Sequence, residues 1–142
     1  MTDPLRYPPT LSYSAAAQMV TVAMEHATAN GWTVAVAVID PSGAMISTGR
    51  MDGASPAVLD IAIDKGFTST LGRSTDAFGK RMVSEAQMTL GASNRPRMVA
   101  WEGGLPIRAD GILVGGIGVS GASGHEDAAC ARAALEIFGF TG

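Results

Sequence analysis

Gly103-Gly104-Leu105-Pro106-Ile107-Arg108-Ala109-Asp110-Gly111-Ile112-Leu113-Val114-Gly115-Gly116-Ile117-Gly118-Val119-Ser120-Gly121-Ala122-Ser123-Gly124-His125-Glu126-Asp127 is the stretch whose reading decides the fold. Leu105 to Ala109 reads as a short strand. Asp110-Gly111 is a tight-turn pair, because glycine takes positive φ without steric cost. Ile112 to Val119 is a second apolar strand. Gly115, Gly116, Gly118 and Gly121 leave its backbone bare, as where another backbone or a ligand comes close. Ser123 and Glu126 have capping-box spacing, and the helix they open runs to Phe138.

Upstream, Ser12 to Asn30 is helical, with Ala16, Val20, Ala23 and Ala27 in one stripe and Asn30-Gly31 as a stop. Val34 to Ile39 is a buried strand. Asp40-Pro41-Ser42-Gly43 is a turn, and Met45 to Arg50 is the return strand. Asp52 to Pro56 leads into a helix over Ala57 to Leu71, with proline tolerated near its start. Ser74 to Leu90 is a more polar, broken helical stretch. Met98 to Glu102 reads as a further short strand. The order is α-β-β-α-α-β-β-β-α. Strands come in hairpins and not in βαβ units, which points to the α+β class: an antiparallel sheet of about five strands with helices packed on it.

The chain has 142 residues, so one domain over residues 11–142 is expected, after an extended segment over residues 1–10. A hydrophobic fraction of 46% suffices for a sizeable core. Glycine is abundant, aromatics are sparse and the net charge is −3 with no basic run, which argues against a nucleic-acid partner. The single cysteine, Cys130, excludes an intrachain disulfide and reads as a small buried hydrophobe. The first ten residues lack the apolar core of a secretory signal. No apolar run approaches the ~20 residues of a membrane span. A cytoplasmic location and no membrane partner are therefore expected.

The candidate chemistry is sparse. No metal-ligand cluster is visible, because His26 and His125 lie far apart in the chain. His26 suits the dipole at a helix C-terminus, or it can offer a lone pair to a haem iron. His125, in a first helical turn, is disfavoured as imidazolium and is a candidate base or hydrogen-bond partner. Glu126 and Asp127 cap and complement the same helix end, or Glu126 moves a proton. The glycine-rich loop Gly118 to Gly124 offers N–H groups to a carboxylate or phosphate. It fits no P-loop, since no lysine follows, and the neighbouring acids repel an anion unless they point away.

Arg50, Asp52 and Lys65 form the better cluster. Lys65 shares an apolar helix face with Val58, Ile61 and Ala62. Its ammonium either snorkels outward or enters a cavity and meets an acidic group. Were its partner internal, Asp40 and Asp52 are the candidates.

Together these pieces resemble the GlcG/HbpS-like family, which includes the C-terminal domain of PduO-type proteins. The resemblance rests on Val36 to Gly43, Arg50 to Ala54, Ala62 to Thr68, Gly103 to Ile107, and Gly115 to Gly121 followed by Glu126-Asp127. The family usually has Lys-Ala where this chain has Lys65-Gly66. The resemblance implies a profilin-like α-β-α layering, homo-oligomers and, in some members, haem binding or degradation. It carries no axial haem ligand onto this chain.

Two readings follow. In the first, the protein binds haem or a related tetrapyrrole at an oligomer interface, with methionines lining a soft apolar slot and His26 or His125 reaching the iron. In the second, it is a cofactor-independent enzyme for a small organic acid in a catabolic pathway. Arg50 and Lys65 then hold carboxylates, and Asp52, His125 or Glu126 moves a proton. Amides of Gly103 and Gly104, or those from Gly118 through Ser120 to Gly121, stabilise an enolate or oxyanion.

Overall fold

The computed structural model describes residues 2–142. Met1, the first residue of the expected extended segment, lies outside them. The helices are α1 (Tyr13–Ala29), α2 (Pro56–Ser69), α3 (Thr75–Met82), α4 (Ala86–Ser93) and α5 (Gly124–Glu136). The strands are β1 (Ala35–Ile39), β2 (Met45–Arg50), β3 (Gly104–Ala109) and β4 (Ile112–Ser120). They form one antiparallel sheet in the order β2-β1-β4-β3. The α+β class and the antiparallel sheet flanked by helices are as expected.

β1 explains the layering. All five of its residues are fully buried, so both faces of the sheet are covered. Val36 and Val38 point into the larger core with Met19, Ala23, Ile117, Cys130 and Ala134, beneath α1 and α5. Ala35, Ala37 and Ile39 alternate to the other face and meet Ala62 of α2.

α2 lies unusually close to the sheet because glycines face it. A Cβ on Gly118 would strike the carbonyl oxygen of Ala62 and come within 2.5 Å of the Gly66 nitrogen. One on Gly104 would lie 2.5 Å from the Lys65 carbonyl oxygen.

The local signals act as expected. Ser123 Oγ accepts the N–H of Glu126 at 3.2 Å, and Glu126 Oε1 accepts that of Ser123 at 3.1 Å, a complete capping box. Asp110 and Gly111 take φ of 51° and 79°, the two positive values of a type I′ hairpin turn.

Met98 to Glu102 is not a strand, so the sheet has four strands. The segment is tied across α2 instead. Thr68 donates its hydroxyl to the Arg97 carbonyl and accepts the Val99 N–H, both at 3.0 Å. That side chain takes the place of a ladder partner.

Candidate functional site

The cluster expected from Arg50, Asp52 and Lys65 is divided between two hollows. The first, of about 680 Å³, lies between α1 and the end of β2. Thr21, Met24, Glu25, Thr28 and Ala29 line it from α1, spaced as one helix face. Arg50, Met51 and Asp52 close the other side. Arg50 Nη1 donates to the Ala54 carbonyl at 2.5 Å, which fixes the guanidinium where β2 ends. His26 is half-buried on a different side of α1, its ring 6.1 Å from that of Trp32.

The second hollow, of about 360 Å³, is bounded by α2, the end of β4 and the first turn of α5. Lys65 and Asp127 form its floor. Lys65 Nζ donates to Asp127 Oδ2 at 3.1 Å and to the Val119 carbonyl at 2.9 Å. Asp127 Oδ1 accepts the Ala122 N–H at 2.9 Å. Burial pulls the Lys65 ammonium below its ordinary value, with Asp127 and Glu102 opposing. Burial likewise pushes Asp127 up, against Lys65 and the Ala122 N–H.

Lys65 therefore has an internal partner, and it is neither Asp40 nor Asp52. Asp40 is engaged in its own turn by Ser42 and Ala44, and the Ser42 hydroxyl holds its carboxyl below the usual range. Asp52 is exposed at the other hollow.

The remaining expected residues sort by position. Ser120 and Gly121 line the second hollow. Gly103 lies against its floor, where a Cβ would come 2.7 Å from Lys65 Nζ. The Gly104 N–H is taken by Thr75 Oγ1 at 2.9 Å, and Gly118 is sealed beneath α2. His125 is exposed, and Glu126 turns back into the capping box.

Sequence reasoning gave Asp127 only a capping role, because its partner lies 62 residues away in the chain. It also missed Trp101 and Glu102 on the wall of the second hollow, and Met24 and Met51 in the first. Only the abundance of methionine hinted at the latter pair. Among the described residues, no group of three or more His, Cys, Asp or Glu is placed to hold a metal ion. No helix among them is long and apolar enough to cross a membrane.

The architecture is thus a single antiparallel sheet between helical layers, with a hollow on each side. The chain belongs to the HbpS-like family, described as "Haem degrading protein HbpS-like", whose profile matches residues 11–136. It is 33% identical to Protein GlcG of Escherichia coli K12 over 110 residues, 78% of this chain and 81% of that protein. A double mutant of Streptomyces reticuli HbpS superposes with a TM-score of 0.87 at 34% identity, covering 96% of this chain and 92% of the other. A PduOC–haem complex superposes with a TM-score of 0.85 at 27% identity, covering 93% and 97%.

Proposed function

We propose that this protein binds haem or a related tetrapyrrole in the hollow between α1 and β2, and does so as a homo-oligomer. The observation that carries the reading is the chemistry of that hollow. Its volume of about 680 Å³ falls within the range of cofactor sites, and its lining is largely apolar. Met24 presents a polarisable thioether suited to a flat macrocycle or to its iron, and Met51, whose sulfur accepts the Val34 N–H at 3.3 Å, adds apolar surface beside it. Arg50, tethered to Ala54, stands at the rim as a partner for a propionate. Glu25 and Asp52 on the same rim oppose a second propionate there, so one edge of the ligand faces Arg50 and the other faces solvent.

The bound group supplies redox and ligand-exchange chemistry at its iron. The chain's own residues hold it, orient it through Arg50 and shield one face from water. The HbpS-like family description and the haem-bound PduOC relative support the choice of ligand.

Haem titration with a Soret readout tests the reading. The wild type should bind saturably, Met24→Ala and Met51→Ala should shift the Soret band or weaken binding, and Arg50→Gln should weaken it about tenfold, as for a charge-assisted hydrogen bond. Binding that all three variants leave untouched would remove haem from this hollow. His26→Ala and His125→Ala decide histidine ligation in the same experiment. Degradation is read as progressive loss of the Soret band under ascorbate and dioxygen.

A further inference from the structure

We propose that the second hollow, over the Lys65–Asp127 pair, is a separate site for a small α-hydroxy acid. The haem reading concerns the α1 side of the sheet, so neither proposal depends on the other.

The donors come first. Ser120 ends β4 on the face that carries Gly116 and Gly118, toward α2. It is only 6% exposed, lines the hollow, and its hydroxyl has no hydrogen-bond partner among the described residues. No fully buried side-chain oxygen or nitrogen among the described residues lacks a partner, so the small exposed part of Ser120 includes its hydroxyl, which is open to the hollow where a ligand atom can meet it. Beside it, the first-turn N–H groups of α5 point outward. Ser123 Oγ satisfies that of Glu126, which leaves those of Gly124 and His125 without an acceptor inside the helix. Lys65 can donate three hydrogen bonds and uses two within the protein.

Two of the three acids nearby are engaged within the protein. Asp127 has one oxygen on Lys65 and the other on the Ala122 N–H. Glu126 is folded back onto Ser123. Among the described residues, Glu102 is the carboxylate lining the hollow that has no ion pair. It repels a bare carboxylate but accepts a hydrogen bond from a hydroxyl. A ligand with a carboxylate at one end and a hydroxyl next to it satisfies both ends of the hollow. The volume of about 360 Å³ suits such an acid. Trp101, 65% exposed, stands on the wall as a reporter.

The experiment uses Trp101 fluorescence in a Trp32→Phe background, with calorimetry on the wild type as the second measurement. Lactate should bind saturably, and lactamide, its uncharged analogue, at least about tenfold more weakly, as expected for loss of the charged acceptor. Ser120→Ala should weaken lactate about tenfold, and Glu102→Gln should tighten acetate by removing like-charge repulsion. Equal binding of lactamide, an unchanged affinity in Ser120→Ala, or no saturable signal with lactate up to high-millimolar concentration would each overturn the proposal.

Discussion

Lys65 Nζ and Asp127 Oδ2 lie 3.1 Å apart with side chains only 3% and 2% exposed, so one ion pair ties the middle of α2 to the first turn of α5. Both charges are hydrogen-bonded a second time, to the Val119 carbonyl and the Ala122 N–H. A buried pair of this kind is weak as a source of stability but costly to break. Lys65→Met should destabilise the fold by about 3–5 kcal/mol, since Asp127 is left buried and uncompensated. Adding Asp127→Asn should recover most of that loss. Urea melts of both variants check this, and additive losses would refute the coupling. The pH dependence has a definite sign. Because burial lowers the Lys65 value, the unfolded chain holds the extra proton between that value and 10.5. Stability from this group therefore rises with pH across the window, and Lys65→Met should flatten the rise.

The glycines under α2 give the second prediction. Gly118→Ala would drive a methyl into the Ala62 carbonyl and the Gly66 nitrogen, both backbone atoms that cannot step aside. The cost should be about 3 kcal/mol or more, the upper end of overpacking. Gly66→Ala is the contrast. Its methyl would meet the Ile39 side chain at 2.8 Å and the Gly118 nitrogen at 3.3 Å, and the side chain can shift. A helix gains up to about 1 kcal/mol from alanine over glycine, so the net effect should be near zero. Thermal melts in which the two substitutions cost the same would show that the seam is not set by backbone contact.

The difference between these glycines marks what the chain discloses by itself. Element types were legible wherever local chemistry decides them. The Ser123–Glu126 box, the Asp110-Gly111 turn and the uniformly apolar β1 each announce their structure. Met98 to Glu102 carries the same apolar signal as a strand, yet Thr68, thirty residues earlier, decides its pairing. The candidate site was legible by residue and not by grouping. Arg50 and Lys65 stand on neighbouring elements in sequence but face different hollows, because β2 is an edge strand and α2 crosses to the opposite face. The partnership of Lys65 with Asp127 is purely tertiary, and no periodicity encodes it.

Cys130 supplies a chemical prediction. It is fully buried beneath α5, and burial, with Asp127 one turn earlier, pushes its thiol up to about 11 from 9.0. The folded state thus keeps a proton that the unfolded chain releases from pH 9 upward. Stability from this group is present below that pH and is lost as pH rises toward 11, opposite in sign to Lys65. The native protein should be inert to a thiol reagent such as DTNB at pH 8 and react fully once unfolded in urea. Cys130→Ala should remove the alkaline loss. Rapid labelling of the native protein would show that α5 opens locally.

The last prediction concerns α4. Its sequence, Ala86 to Ser93, carries Met88, Leu90 and two alanines, yet none of its residues is buried. Leu90 is 70% exposed and the neighbouring Val83 76%. Helix propensity alone does not hold an eight-residue segment, so a helix of this length normally depends on packing. Its neighbour α3 provides part of that contact, through an apolar hollow lined by Phe78, Met82, Met88 and Met98. Leu90 and Val83 remain uncovered, and large apolar side chains exposed near one another are candidates for an interaction surface. The proposed homo-oligomer places a second copy there. Leu90→Asp should then lower the molecular mass measured by light scattering at micromolar concentration, while Glu85→Gln at the exposed N-cap leaves it unchanged. A charge at the centre of a tight interface typically costs several kcal/mol, enough to dissociate it at that concentration. A wild type that runs only as a 14.5 kDa species would remove the oligomer, and an unchanged mass in Leu90→Asp would move the interface away from α4.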